Sequence, residues 1–254
     1  MTRPDPPASF KDHFSGHARA YARYRPDYPA ELFDYLATLT ARRVVALDCA
    51  TGSGQAAIGL ARHFDLVVAS DGSIAQLRNA QAHPRVAYVA NLAEQPALKD
   101  GSVDLVVAAQ AAHWFDHERF HEQVRRVLRA DGALAVWTYG LAHVSLPIDA
   151  VVKRFYEEAI GPYWPPERRY VESGYRDLPF PWQEIAAPAF TLVREWDLDA
   201  FVGYVGTWSA VRRYLEATGK DPLPALKAQI AKVWDSPATP RPVTWPLHLR
   251  VGRR

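Results

Sequence analysis

The chain has 254 residues, 48% hydrophobic and 23% charged, enough apolar material for one sizeable core. A net charge of +2, with basic clusters no larger than pairs such as Arg42-Arg43 and Arg253-Arg254, argues against nucleic acid or an anionic membrane as partner. The single Cys49 excludes an internal disulfide and a cysteine-rich zinc site.

In chain order, the opening segment MTRPDPPASFKDHF is polar and Pro-rich, without the apolar core of a signal peptide. No stretch approaches the roughly 18 apolar residues of a membrane span, so a cytoplasmic protein is expected. A helix carrying Tyr21 and Tyr24 is predicted to end near Arg25-Pro26. Val44 to Asp48 reads as the first strand, Gln55 to His63 as a helix, and Leu66 to Ser70 as the second strand. A helix over Ser73 to Gln81 and a third strand over Arg85 to Ala90 follow. Val103 to Ala109 is a fourth strand whose unbroken apolar run suits burial on both faces. Asp116 is the expected N-cap of a helix over Glu118 to Leu128. The turn Ala130-Asp131-Gly132 leads into a fifth strand, Ala133 to Tyr139. Such alternation predicts βα units and a largely parallel sheet.

The pattern changes at Gly140. Residues 140–188 are rich in Pro and aromatics, with helical signal only from Pro147 to Ile160. Phe190 to Trp196 reads as a sixth strand. Asp199 is expected to cap a helix reaching about Leu215, with Phe201, Val205, Trp208 and Leu215 on one side. A helix over Pro224 to Val233 and a strand over Val243 to Val251 complete the chain. The expectation is one α/β domain with a seven-stranded, mostly parallel sheet and helices on both faces. Residues 31–139, 189–196 and 241–254 form its sheet core. Residues 1–30 are a lid, and 140–188 and 197–240 a cap, over the carboxyl edge where open α/β sheets bind ligands. The 8 Trp and 12 Tyr either pack the core of this cap or line an aromatic pocket.

The first strand runs into Asp48-Cys49-Ala50-Thr51-Gly52-Ser53-Gly54. A glycine turn between strand and helix lets a ligand approach the backbone. Asp71 ends the second strand, where a carboxylate takes both hydroxyls of a ribose. The pair implies a nucleoside-bearing cofactor. Gly52-x-Gly54-x-x-Ala57 also fits a loose dinucleotide fingerprint. Asp48 separates the two readings. An anion there fits poorly beside a pyrophosphate and well beside an ammonium or sulfonium, held directly or through water. Its structural alternative is to cap the turn through backbone N–H groups.

Asp48-x-Ala-Thr-Gly52-x-Gly54, Asp71-Gly72-Ser73 with Leu77, Ala93-Glu94 and Leu128-Arg-Ala-Asp-Gly132 resemble the ordered motifs of class I S-adenosylmethionine-dependent methyltransferases. Tyr21-Ala-Arg-Tyr24-Arg25-Pro26-x-Tyr28-Pro29, Gln110 to Asp116 and Thr207-Trp208-Ser209-Ala210 extend the likeness to the trans-aconitate and cantharidin methyltransferase-like group. The resemblance implies a Rossmann-like fold, S-adenosylmethionine as cofactor and a small-molecule acceptor. It implies cofactor contacts from Tyr21, Asp48, Ala50, Thr51, Gly52, Gly54, Asp71, Gly72, Leu77, Leu92, Ala93, Glu94, Gln110 and Ala111. Two positions depart from the pattern: Ala50 stands where the class has Gly, and Leu92 where it often has an Asp that reads the adenine amine. Leu77 and Leu92-Ala93 are therefore expected to hold adenine by packing.

Methyl transfer needs alignment and exclusion of water, and a base only if the acceptor carries a proton. His113 is the candidate base, and its alternative is an idle pocket wall. Arg25, Trp114, Trp137, Tyr139 and Trp208 are the candidate acceptor-binding residues, with Arg25 as partner for a carboxylate. Arg168, Arg169, Arg176, Arg212 and Arg213 are further candidates for that carboxylate-partner role, and a charged cap surface is their alternative reading. Cys49 reads as a small buried residue. No metal is expected: His117 and His121 share a helix face but read as solvated. The residues leave open an S-adenosylmethionine-binding module without catalysis and an NAD-linked oxidoreductase.

Overall fold

The computed structural model describes residues 24–254, so Tyr21 and most of the expected lid lie outside the described residues. Strands β1 (Val45–Cys49), β2 (Leu66–Asp71), β3 (Val86–Ala90), β4 (Val103–Ala109) and β5 (Leu128–Tyr139) lie parallel in the order β3-β2-β1-β4-β5. The last strand, β8 (Arg241–Arg253), adds antiparallel to β5. Two further strands, β6 (Gln183–Ile185) and β7 (Phe190–Trp196), pair antiparallel with different stretches of β8. Among the described residues the sheet thus has eight strands where seven are expected. The extra one, β6, comes from the segment read as cap. Three residues are too few to show a two-residue period, and only pairing with Val251–Arg253 makes them a strand.

Alternation along β4 explains its apolar run. Leu105 and Val107 join one core cluster, and Val106 and Ala108 join the other. Helices α1 (Ala30–Thr38) and α2 (Gln55–Leu60) cover the first face with Leu32, Leu36 and Leu60, all fully buried. Burying each such side chain contributes about 1.5–3 kcal/mol. Helix α3 (Ile74–Arg78) follows β2. Helix α4 (His117–Val127) covers the opposite face through Phe120, Val124 and Val127. Asp116 caps α4 as expected, accepting from the Arg119 N–H at 3.2 Å. The turn expected at Ala130–Gly132 runs instead within β5, whose register against β4 shifts between Val103 and Leu105.

After β5 come α5 (Leu146–Arg154), which continues as a wider π-helical turn over Phe155–Ala159, and α6 (Arg168–Glu172). The helix expected from Asp199 to Leu215 is two helices, α7 (Leu198–Gly206) and α8 (Ser209–Thr218). Asp197, not Asp199, caps α7, accepting from the Ala200 N–H at 2.8 Å. The Thr207 hydroxyl donates to the Tyr204 carbonyl, and Trp208 is extended. This break turns Leu215 out to 45% exposure while Phe201, Val205 and Trp208 stay buried. Helix α9 (Leu223–Ala231) packs on α7 and α5. Among the described residues no helix is long and apolar enough to cross a membrane.

Candidate functional site

Chain order steps outward from β1 to β2 and then returns to β4 on the other side of β1. The crevice at such a switch point opens at the carboxyl ends of β1 and β4. It holds a cavity of about 620 Å³.

The turn after β1 is built on left-handed backbone: φ is +53° at Ala50, +58° at Gly52 and +88° at Gly54. A Cβ on Gly52 would meet nothing within 4 Å, so this backbone stands open to a ligand. Gly54 is required for another reason and does not line the cavity. A Cβ there would lie 2.2 Å from the Tyr88 hydroxyl, which donates to the Gln81 carbonyl at 2.7 Å. Ala50 stands where an L-residue loses roughly 1–2 kcal/mol.

Asp48 is fully buried beneath the turn and outside the cavity lining. Its Oδ2 accepts from the Thr51 hydroxyl at 2.5 Å, and its Oδ1 has no hydrogen-bond partner among the described residues. Burial is the main cause that lifts its pKa to about 7; the Thr51 bond opposes this and the Asp71 charge adds to it. Asp71 lines the cavity. Its Oδ2 accepts from the Gly52 N–H at 2.8 Å and its Oδ1 from the Ser73 N–H at 2.7 Å. One carboxylate thereby fixes the turn of β1 to the end of β2.

Of the residues expected to contact the cofactor, Ala50, Thr51, Gly52, Asp71, Gly72, Leu92, Ala93, Glu94, Gln110 and Ala111 line this cavity. Leu77 does not, although it is half-buried nearby. Sequence reasoning missed Gln76 and Asn91. Both line the cavity, and Gln76 Oε1 and Asn91 Oδ1 are buried without hydrogen-bond partners among the described residues. No motif marks them, because an amide oxygen becomes conspicuous only once its surroundings are known. Cavity size, open backbone at Gly52, the Asp71 carboxylate and two orphan acceptors together fit an adenosine group with an exocyclic amine and ribose hydroxyls.

Beside this cavity, Gln110 follows β4 at φ +55°. Its Oε1 accepts from the Thr138 hydroxyl, and its Nε2 donates to the Tyr139 carbonyl at 3.1 Å. His113 and Trp114 lie on a short 3₁₀ turn, Ala112–Trp114, that faces both the main cavity and a recess of about 50 Å³. Arg25, Tyr139 and Trp208 line the recess with Trp164, Arg168 and Tyr204. Arg25 donates to the Tyr139 hydroxyl at 3.3 Å and lies over the Tyr204 ring. Among the described residues no Asp or Glu lines the recess, whereas Asp71, Glu94, Asp116 and Glu167 line the main cavity.

His113 is 8% exposed, and its Nδ1 lies 2.8 Å from the hydroxyl of fully buried Tyr175. Burial, with the nearby Arg168 and His117, pushes its pKa down to about 3. At neutral pH it is an uncharged imidazole and a weak base.

Trp137 is not in the site. It shares a face with Tyr139 but sits two residues, about 7 Å, back from the carboxyl edge. There it is fully buried in the core, with Tyr28 edge-on to its ring at 5.4 Å. The aromatics thus serve both expected roles: Trp234 and Trp245 fill the core, and Trp114, Trp164 and Trp208 line the recess. His121 is not solvated either. It is 3% exposed, accepts at Nδ1 from the Trp182 indole at 2.9 Å and lies 2.9 Å through Nε2 from the Pro179 carbonyl. Cys49 is buried, as read.

The doubly wound sheet, glycine turn and acidic strand end define a Rossmann-like nucleoside-binding protein. A family model described as a methyltransferase domain matches residues 47–136. A Dictyostelium discoideum protein described as a methyltransferase is 33% identical over the whole of both chains. A solved structure from Anaeromyxobacter dehalogenans, assigned to the type II methyltransferases, is 48% identical, with a TM-score of 0.84. That match covers 91% of this chain and 98% of the other. A Saccharomyces cerevisiae protein described as an S-adenosylmethionine-dependent methyltransferase is 30% identical over 47% of this chain and 44% of its own. The chain belongs to the class I S-adenosylmethionine-dependent methyltransferases. Its cofactor is S-adenosylmethionine, and the NAD-linked alternative falls.

Proposed function

We propose that the enzyme methylates a carboxylate oxygen of a small organic acid. The observation that carries this reading is the recess: among the described residues two guanidiniums line it and no carboxylate does, and the imidazole of His113 in its wall is held neutral down to about pH 3. Such a site offers no effective base, and an acceptor that is already ionised needs none. S-Adenosylmethionine, when bound, supplies the methyl group: an oxygen lone pair forms the new O–C bond and sulfur keeps the C–S pair. Asp71 holds the ribose, while the Gly52 backbone, Gln76, Asn91 and Leu92-Ala93 hold the nucleoside. Asp48, through Thr51 or water, answers the cationic methionine end. Arg25 and Trp208 position the acceptor, and Trp114 with His113 shuts water from the reacting atoms. The likeness to the trans-aconitate and cantharidin methyltransferase-like group supports an acid acceptor.

A panel of mono-, di- and tricarboxylic acids, phenols and amines assayed for methyl transfer tests the reading. The expected product is an ester that mild alkali hydrolyses. Transfer to phenols or amines alone would refute it and return the base role to His113.

A further inference from the structure

We propose that Arg168 selects the acceptor by its negative charge, presenting a fixed guanidinium fork to a substrate carboxylate in the recess beside His113. This rests on the methyltransferase reading above and names the residue that sets its substrate class.

Arg168 opens α6, in the segment between β5 and β6. Its Nε donates to the Tyr156 hydroxyl at 2.7 Å, and that hydroxyl donates onward to Glu172. The carboxylate of Glu172 therefore reaches Arg168 only through a phenol, and Arg168 makes no ion pair among the described residues. Its Cζ lies 4.5 Å from the centre of the Trp164 ring and 5.3 Å from that of Tyr156. Trp208 closes the same aromatic group, 5.9 Å from both rings. The guanidinium plane is thus held by stacking and by its Nε, while its Nη groups have no protein acceptor among the described residues. A guanidinium so fixed matches a carboxylate with two parallel N–H bonds, which a lysine ammonium cannot reproduce. In the same wall the Trp164 indole N–H is buried without an acceptor among the described residues. The positive field of Arg168 reaches the reacting end, where it helps keep His113 unprotonated.

The test titrates the protein, saturated with S-adenosylhomocysteine, with succinate, glutarate and phenylacetate by calorimetry. Each acid is also assayed for methyl transfer. We expect at least one acid to bind and to be methylated. Arg168→Gln should then raise its KM and its Kd by about 10-fold or more, the worth of a charge-assisted hydrogen bond. Affinity for S-adenosylhomocysteine should stay unchanged, which also shows that the variant folds. Arg168→Lys should recover part of the loss, and Tyr156→Phe should raise KM with kcat kept. An unchanged KM in Arg168→Gln overturns this inference and leaves carboxylate methylation standing. Acid binding that needs Arg168, with methyl passing only to a non-carboxylate atom of the bound acid, overturns carboxylate methylation and leaves Arg168 as the selector of a negatively charged acceptor. Failure of the wild-type protein to bind any of the acids overturns the inference.

Discussion

The Asp71 carboxylate accepts the Gly52 N–H on one oxygen and the Ser73 N–H on the other. Asp71→Asn replaces one oxygen by a donor that faces an N–H. Affinity for S-adenosylhomocysteine should fall 10- to 100-fold, about 1.4–2.8 kcal/mol, in calorimetry. Undiminished affinity would remove Asp71 from the ribose site. At Ala50 the reverse change should help. Ala50→Gly relieves a left-handed alanine and should add about 1 kcal/mol, or 2–4 °C in Tm, by thermal melting. A lowered Tm would show that the turn does not need this backbone. Both residues were legible in sequence because a glycine turn and an acidic strand end are local signals with fixed spacing. Tyr175 and Arg168 gained weight only from the fold. Each is tied to a partner, His113 or Tyr156, that no spacing links to it.

At the level of elements, the edge strand β3 showed as a short β-branched and aromatic run, while β1 and β4 were readable because parallel strands buried on both faces leave unbroken apolar runs. The break between α7 and α8 was not, because Thr207 and Trp208 are both acceptable within a helix by propensity. The segment around Pro179–Trp182 has no periodicity at all, yet it docks firmly on α4. Trp182 donates to buried His121, and Arg125 stacks on the Trp182 ring at 4.9 Å. Trp182→Phe would leave His121 Nδ1 buried without a donor, at a cost of about 1–3 kcal/mol. The expected result is a clear drop in Tm with S-adenosylhomocysteine affinity kept, since His121 lies outside both cavity linings. An unchanged Tm would show the segment undocked in solution.

Across the whole molecule, burial sets the response to acid. It lowers the pKa of His113 to about 3 and of His121 to about 4, and depresses His117 and His248 as well. A histidine with a depressed folded pKa favours the folded state fully above its ordinary value near 6.5. That contribution is lost as pH falls through the window toward the folded pKa, because the unfolded chain then binds more protons. Asp48, lifted to about 7, has the opposite sign: between its ordinary 3.8 and 7 the folded chain holds the extra proton. The histidines outnumber it, so unfolding free energy should fall on acidification from pH 6.5 to 4. The slope is on the order of 1 kcal/mol per pH unit for each uncompensated proton. Asp48→Asn should steepen it in urea titrations at several pH values. A flat profile in both proteins would show these groups solvated.

The sequence alone determined the α/β alternation, the cofactor turn and the acidic end of β2, because each is written in contiguous residues. Tertiary structure decided the recess beside the cofactor cavity. It brought Arg25, Tyr139, Arg168 and Trp208 to one recess, left Trp137 two residues deeper in the core and made His113 a buried, neutral imidazole. Depth along a strand, burial and the convergence of distant segments follow from packing, and no local pattern of residues encodes them.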